Sequence, residues 1–543
     1  MNRLYWSPDR EAACFSPTEL RTAAHRFREA AYVVKRNVQP SLKETMGVEI
    51  GIGLGGSILL SNQTEEEGLE ILAQLSCVYP EWLGSRGFTE CLGLRFPYVS
   101  GAMANGIATV EIVEEMARIG CMGFFGAAGL SLERVEQAIQ RLSSLTDKNM
   151  PWGSNLIHSP NEPELEEAVC DLYLKYRTRC VSAAAYMKLT PAVVRYAVSG
   201  LQVDSDGLIQ RQNHLFAKIS RPEVARHFMS PAPVSILDHL LRKGQITQTE
   251  HRLAQHVPVA SSFTVESDSG GHTDNQPLGA LFSSIQMLRN EILERYNYQE
   301  PIYLGAAGGI GTPQAVASAF ALGASYVVTG SINQAAVESG LDASGKKLLA
   351  QAGLADVVMA PAADMFELGV EVQVLRRGTM FGTRAKKLYE IYRRYDSLDT
   401  ISDKDRIQLE RDFFRKSLAD AWNETASYWA QRDPRELDRA KQDEQHKMAL
   451  LFRSYLGQSS KWAIAGVSDR KLDYQIWCGP AMGAFNDWAK GSFLEDPSNR
   501  SVSQIALNLL EGAAVLNRAQ QMRSNGVPLP DNAFVYRPRP IVL

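Results

Sequence analysis

No Cys-x-x-Cys pair occurs in the 543 residues: the seven cysteines, at 14, 77, 91, 121, 170, 180 and 478, are odd in number and scattered. That disfavours a disulfide framework or a zinc ribbon, and a reducing cytoplasm is the simplest compartment. Basic excess is also missing. Lys and Arg total 57 against 61 Asp and Glu, a net charge of −4, whereas a nucleic-acid-binding domain is normally strongly basic. The start, Met1-Asn-Arg-Leu-Tyr-Trp-Ser-Pro, lacks the apolar core of a signal peptide, so no export is expected. From Pro301 to Val337 there is no charge of either sign, a run long enough to cross a bilayer. Gly305, Gly308, Gly309, Gly311, Pro313, Gly323 and Gly330 divide it into short pieces, so it reads as strand, glycine loop, helix and strand, and no membrane span is expected. At 45% hydrophobic and 22% charged residues, disorder and fibrous classes are excluded.

What is present is alternation. Strand-like segments at 96–100, 122–125, 152–157, 181–186, 214–219, 257–265, 302–306 and 326–329 are separated by helix-like ones. Thr109–Ile119 places Val110, Val113, Met116 and Ala117 on one face, and Leu132–Leu145 repeats Val135, Ala138, Ile139 and Leu142. Eight β/α units predict an α/β fold, a TIM (β/α)8 barrel over residues 92–377. A helical pair interrupts it at 231–256, with Thr247-Gln-Thr-Glu at capping-box spacing. Residues 1–91 form an N-terminal extension with a helix predicted at 17–32. Residues 378–543 form a helical C-terminal region with helices predicted at 385–395, 403–430, 436–455 and 503–522.

Three glycine motifs bear on chemistry. Gly51-Ile-Gly-Leu-Gly-Gly56 matches G-x-G-x-x-G but runs into Ser-Ile-Leu-Leu-Ser, which looks extended. A Rossmann site needs a helix there, so a glycine-rich β-turn is expected. Leu304-Gly-Ala-Ala-Gly308-Gly309-Ile-Gly311-Thr-Pro and Val327-Val-Thr-Gly330-Ser331 fall after strands seven and eight. There, barrel loops let backbone N–H groups cage a phosphate. Glu266-Ser-Asp-Ser-Gly270-Gly271-His272-Thr-Asp274 follows strand six on the catalytic face. It projects an imidazole able to move a proton near neutral pH. Two of the acids Glu266, Asp268 and Asp274 are better read as loop-capping and orientation groups, and no metal site is assigned.

These residues carry a resemblance. Gly101-Ala-Met103-Ala, Gly153-Ser-Asn155-Leu, Lys218, Gly270-Gly-His272, Gly308-Gly-Ile and Gly330-Ser331 together resemble the FMN-binding barrel of the nitronate monooxygenase (2-nitropropane dioxygenase-like) superfamily. Thr264-Val-Glu-Ser-Asp-Ser-Gly-Gly-His-Thr-Asp and Arg377-Gly-Thr-Met-Phe-Gly-Thr-Arg384-Ala more narrowly resemble the PfaD family. That family comprises the trans-acting enoyl reductases of polyunsaturated fatty acid and polyketide synthases. One departure is Ser269 where superfamily oxygenases commonly have alanine before Gly-Gly-His.

The resemblance implies FMN and NADPH as cofactors. It places Gly308, Gly309, Gly330 and Ser331 at the flavin phosphate, Ala102 and Met103 under the isoalloxazine, Asn155 and Lys218 at its polar edge, and Gly270 and Gly271 close to the ring. A cation near N1/O2 stabilises anionic reduced flavin. His272 is the catalytic candidate, for proton delivery or oxyanion contact. The implied substrate is a 2-enoyl thioester on acyl carrier protein domains of a multienzyme synthase. Docking is expected through Arg376, Arg377, Arg384, Lys386, Lys387, Arg393 and Arg394, because carrier proteins are acidic. A homodimer is expected, on the ground that the helical tail needs a partner for its apolar residues. The alternatives are a nitronate monooxygenase-type flavin oxidase, a flavin-free phosphate-binding barrel and a non-catalytic protein that docks the carrier within the synthase.

Overall fold

Eight short parallel strands close into a barrel in the computed structural model, which describes residues 4–38, 47–60, 68–148, 150–159 and 162–542. They are β1 (Tyr98–Ser100), β2 (Met122–Phe125), β3 (Gly153–Ile157), β4 (Cys180–Ala184), β5 (His214–Ile219), β6 (Ser262–Glu266), β7 (Tyr303–Ala307) and β8 (Tyr326–Thr329). They pair in chain order, and β8 returns to β1 through Val328 and Val99. The fold is thus the TIM barrel that the β/α alternation predicts. Inside it, Phe124, Phe216 and Tyr326 are buried with Phe88 of the helix Arg86–Leu92. Phe88 stacks on Tyr326 at 4.3 Å and plugs the end where the strands begin. Tyr326 and Phe124 need glycine on the neighbouring strand: a Cβ on Gly305 would collide with the edge of the Tyr326 ring, and one on Gly153 would lie 2.6 Å from Phe124 Cδ1.

Several boundaries differ from the sequence reading. β4 stops at Ala184 because Ala185 turns left-handed, at φ +63°. β6 begins only at Ser262: Val259 donates to the carbonyl of Ser230 and Ala260 to that of Phe228, so this segment ties the barrel to the end of the helix Pro222–Met229. The insert forms the helices Val234–Arg242 and Gln248–Leu253, the second opened by a capping box of Thr247 with Glu250.

The helix predicted at 17–32 ends at His25, and Ala31–Val38 is a strand, since the run Tyr32-Val-Val pairs across an antiparallel sheet. That sheet has five strands, in the order Gly47–Leu54, Ala31–Val38, Leu69–Leu75, Leu4–Ser7 and Ser57–Leu60. Gly51–Gly56 runs from strand to turn. A Cβ on Gly53 or Gly56 would collide with Trp6, whose indole N–H donates to the Gly55 carbonyl at 2.7 Å. The glycines of this motif therefore seat a tryptophan.

Beyond the barrel, Val357–Pro361 and Glu371–Leu375 form a hairpin, to which Gly271–His272 adds a third strand. The helix Phe381–Arg394 follows. The helix predicted at 403–430 is broken: Asp403–Gln408 continues into a π-helical turn, Arg415 turns left-handed at φ +56°, and Ser417 caps Leu418–Arg432. The next, predicted at 436–455, is also split: Asp433 caps Pro434–Ala440, and Asp443 breaks the run by capping Glu444–Ala465. The last helix, Val502–Ser524, packs on the barrel helix Pro313–Ala321, where Gly512 faces Pro313. Its Arg518 is fully buried and donates to the carbonyls of Phe27, Glu29 and Ser76, joining tail to N-terminal extension. Among the described residues no helix is long and apolar enough to cross a membrane.

Candidate active site

The loops after β7 and β8 lie side by side because their strands pair through Ala307 and Val328. Gly308 and Gly309 are left-handed, at φ +85° and +67°, a conformation glycine adopts without steric cost. Their surroundings differ. A Cβ on Gly308 would lie 2.5 Å from Ser267 Oγ, whereas no atom lies within 4 Å of that point on Gly309 or Gly330. Among the described residues, the N–H groups of Gly308, Gly309, Gly330 and Ser331 donate to no protein acceptor. Unpaired amides on adjacent loops form a concavity of positive potential suited to an anion. Ser331 Oγ accepts the Gly479 N–H at 3.0 Å, which leaves its own proton to donate.

The floor of the mouth comes from β1 and β3. Ala102 rests on the aromatic cluster inside the barrel, and the buried Met103 is anchored by its carbonyl, which accepts the Ala108 N–H at 3.1 Å. Asn155 Oδ1 accepts from the N–H groups of Ala127 and Ala128, at 2.8 and 3.3 Å. Its Nδ2 is the group left for a ligand. Lys218 Nζ, on β5, pairs with Glu266 Oε1 on β6 at 2.8 Å, and Ser269 Oγ donates to the same oxygen at 3.0 Å. The pair is a rim salt bridge, and with Lys218 35% exposed its ammonium also reaches the mouth.

The loop carrying His272 is fixed from both ends. Asp268 accepts from Gln373 Nε2 and Asn275 Nδ2, each at 2.9 Å. Asp274 accepts from Ser220 Oγ and from Arg221 in two bonds, and Arg221 holds its carboxyl below the usual aspartate value. Gly270 is glycine because the chain at Cys478 crosses it: a Cβ would lie 2.8 Å from the Cys478 nitrogen. The close approach read from the sequence as access for a flat ligand is made at Gly270 by protein backbone. Gly271, left-handed at φ +86°, stays open, its nearest neighbour being Trp477 Cδ1 at 3.8 Å.

His272 pairs in the sheet with Val372, and its Nε2 lies 3.3 Å from Asp364 Oδ1, the two side chains 41% and 58% exposed. Burial works to raise the Asp364 carboxyl, but the bond to His272 and its charge outweigh it and hold the group below the ordinary value. The arrangement is an oriented imidazole–carboxylate pair able to handle a proton or stabilise an oxyanion. Sequence reading missed Asp364 and the strap around Cys478. Asp364 comes from the connection between the hairpin strands Val357–Pro361 and Glu371–Leu375 and Cys478 from the C-terminal region, and no local spacing rule connects them to His272.

The segment expected to dock a carrier protein is mostly neutralised. Arg376 and Arg377 face Asp356, Arg384 pairs with the buried Asp473, and Lys387 and Arg394 face Asp405. Among the described residues, Lys386 and Arg393 have no such partner, and both are exposed on the helix Phe381–Arg394.

Residues 395–474 match the family model described as the inserted helical domain of [acyl-carrier-protein] S-malonyltransferase. The chain is 41% identical over 513 residues to the polyketide biosynthesis protein PksE of Bacillus subtilis, covering 93% of this chain and 63% of that protein. It is 42% identical over 466 residues to a polyunsaturated fatty acid synthase component of Thraustochytrium sp., covering 84% of this chain and 31% of that protein. It thus spans less than two thirds of the length of either curated relative. The enoyl reductase domain of MlnA, from the macrolactin biosynthesis cluster of Bacillus amyloliquefaciens, matches with a TM-score of 0.78 and 36% identity, covering 82% of this chain and 99% of that one. A relative covered almost end to end at that identity decides the family: the chain belongs to the PfaD-like enoyl reductases.

Proposed function

We propose that the protein is an FMN-dependent, NADPH-using enoyl reductase that acts in trans on 2-enoyl thioesters borne by acyl carrier protein domains of a polyunsaturated fatty acid or polyketide synthase. The observation that carries the reading is the pair of open glycine loops. Four backbone N–H groups without acceptors among the described residues, with open space beside Gly309 and Gly330, suit the FMN phosphate. Ser331 adds a hydroxyl donor. When bound, FMN supplies hydride transfer between NADPH and the β-carbon of the enoyl group.

The chain's own residues then do three things. Ala102, Met103 and the open face at Gly271 leave room for a flat ring over the barrel. Asn155 Nδ2 and the Lys218 ammonium offer a donor and a positive charge to its polar edge, with Glu266 and Ser269 setting the position of Lys218. His272, oriented by Asp364, contacts the thioester oxygen as negative charge develops there or delivers a proton. Lys386 and Arg393 supply the positive charge for an acidic carrier protein.

A homodimer does not follow from the tail. The apolar residues of the helix Val502–Ser524 are buried within the chain itself, against the barrel and the N-terminal extension. The reading is tested by purifying the protein and measuring bound FMN, then NADPH oxidation with a 2-enoyl thioester under anaerobic conditions. Stoichiometric FMN and enoyl-dependent oxidation are expected. A colourless protein, or NADPH oxidation that needs oxygen and no enoyl group, would exclude it.

A further inference from the structure

Asp364 stands on the turn that joins the hairpin strands Val357–Pro361 and Glu371–Leu375. The turn closes its own base and far limb: Ala362 N–H donates to the Val370 carbonyl at 2.8 Å, and Leu368 and Val370 donate to the Met365 carbonyl at 3.2 and 3.4 Å. Phe366, fully buried, anchors its middle against Tyr389, Tyr392 and Phe452. The near limb has no such support. Among the described residues, no bond from within the turn reaches the carbonyl of Ala363, directly before Asp364.

What reaches it is Arg453, on the helix Glu444–Ala465. Its Nε donates to the Ala363 carbonyl at 2.9 Å and its Nη1 to Glu367 Oε1 at 3.2 Å. One guanidinium thus spans the residue before Asp364 and the residue three after it. A planar fork can hold two acceptors at once, which the point charge of lysine does not. The Arg453 side chain is only 16% exposed, a position that is costly for a cation unless its donors are bonded. Among the described residues, both of its hydrogen bonds go to this turn. The grip is seated in the helical region in turn: Glu367 Oε1 lies 4.0 Å from Nδ1 of the buried His446, whose Nε2 is 2.7 Å from Glu436 Oε2. Burial works to raise the Asp364 carboxyl, the bond and charge of His272 lower it, and the charge of Arg453 adds to that lowering.

We propose that Arg453 is a positioning residue for the reaction: by gripping the turn on both sides of Asp364 it fixes that carboxylate against His272, and so sets the imidazole for its contact with substrate. The assignment rests on the enoyl reductase reading and on the part His272 takes in it. With His272 41% and Asp364 58% exposed, packing does not lock the tips of the pair. Its geometry is held by the backbone beneath each residue. On the histidine side that is the pairing with Val372, and on the aspartate side it is the bond from Arg453. Without the bond Asp364 can turn to water, and rates fall steeply when a catalytic group is misplaced.

The experiment uses the FMN-loaded protein with Arg453→Met and Arg453→Lys, each made alone and again in His272→Ala. Anaerobic NADPH bleaching and reoxidation by an enoyl thioester are measured separately. Arg453→Met keeps an apolar stem and removes the fork. It should bind FMN and bleach within about twofold of the original, while the reoxidation rate constant falls about 10-fold with little change in KM. Arg453→Lys, whose ammonium serves one acceptor at a time, should recover part of that loss. In His272→Ala neither change should slow reoxidation by more than about a further twofold, because a residue that acts through His272 has nothing left to position. Reoxidation of Arg453→Met at the original rate, or the same fall with and without His272, overturns the assignment alone. If Arg453→Met binds no FMN, Arg453→Lys decides by the same comparison. His272→Ala that reoxidises at the original rate removes the role of His272 and this assignment with it. A protein that bleaches with NADPH but is reoxidised by no enoyl thioester overturns the enoyl reductase reading itself.

Discussion

Gly309→Asp separates folding from cofactor binding. Gly309 is left-handed, at φ +67°, so any Cβ there brings strain, about 1–2 kcal/mol for an L-residue. Nothing within 4 Å meets that Cβ, so no packing cost is added, and the loss is a minor share of the roughly 5–15 kcal/mol that holds a typical domain together. The protein should fold. The carboxylate, however, stands beside unpaired amides. A charge about 4 Å from a phosphate charge costs about 4 kcal/mol at an effective dielectric of 20, or about 10³-fold in affinity. Gly309→Ala carries the strain without the charge. Flavin absorbance per protein after gel filtration, with urea unfolding as a stability control, should show an alanine variant that keeps FMN and an aspartate variant that is folded and colourless. Stoichiometric FMN in Gly309→Asp would show that the phosphate lies elsewhere. Gly308 and Gly311 would not give this separation, because Ser267 and the Ala481 carbonyl occupy the Cβ positions.

Further outcomes follow from the same geometry. His272→Ala should slow enoyl reduction by about 10²-fold while anaerobic NADPH bleaching stays comparatively intact; unchanged turnover would leave this histidine a packing role. Replacing Lys386 and Arg393 with Glu should abolish the kcat/KM advantage of a carrier-linked enoyl group over its coenzyme A form, and added salt should shrink that advantage in the original protein. Equal efficiency on both forms, or no effect of salt, would refute this docking surface. Lys387 is unsuitable for that test, since its loss removes a partner of the buried Asp405. Burial, then the charges of Arg211 and Arg179, push His214 down to about 4. The folded state therefore resists its protonation: stability is full above the unfolded value near 6.5 and is lost as pH falls toward 4, by roughly 3 kcal/mol. His214→Gln should flatten urea midpoints measured between pH 7 and 4, and an unchanged slope would contradict the shift.

The barrel was legible because each β/α unit announces itself locally, through an apolar strand, a glycine-bearing loop and an amphipathic helix. The glycine loops after β7 and β8 were legible for the same reason, since their φ values and open spaces are properties of a few consecutive residues. What the sequence concealed is long-range. Asp364 meets His272 only because the hairpin Val357–Leu375 folds over the strand Gly271–His272, and Gly270 is glycine on account of Cys478. Neutralisation of the basic segment by Asp356, Asp405 and Asp473 is hidden in the same way. The breaks in the C-terminal helices were readable in principle: Ser417, Asp433 and Asp443 are N-caps, and Pro434 sits at a first helical position. Charged helical composition across the segment masked them.

The measurement that tests the central claim most directly is an anaerobic single turnover. Protein bleached by one equivalent of NADPH is mixed with a carrier-linked 2-enoyl thioester, and flavin absorbance and product mass are followed together. The account predicts that flavin colour returns in step with an acyl product two hydrogens heavier. Colour that returns only when oxygen is admitted, with the enoyl group unchanged, would contradict it.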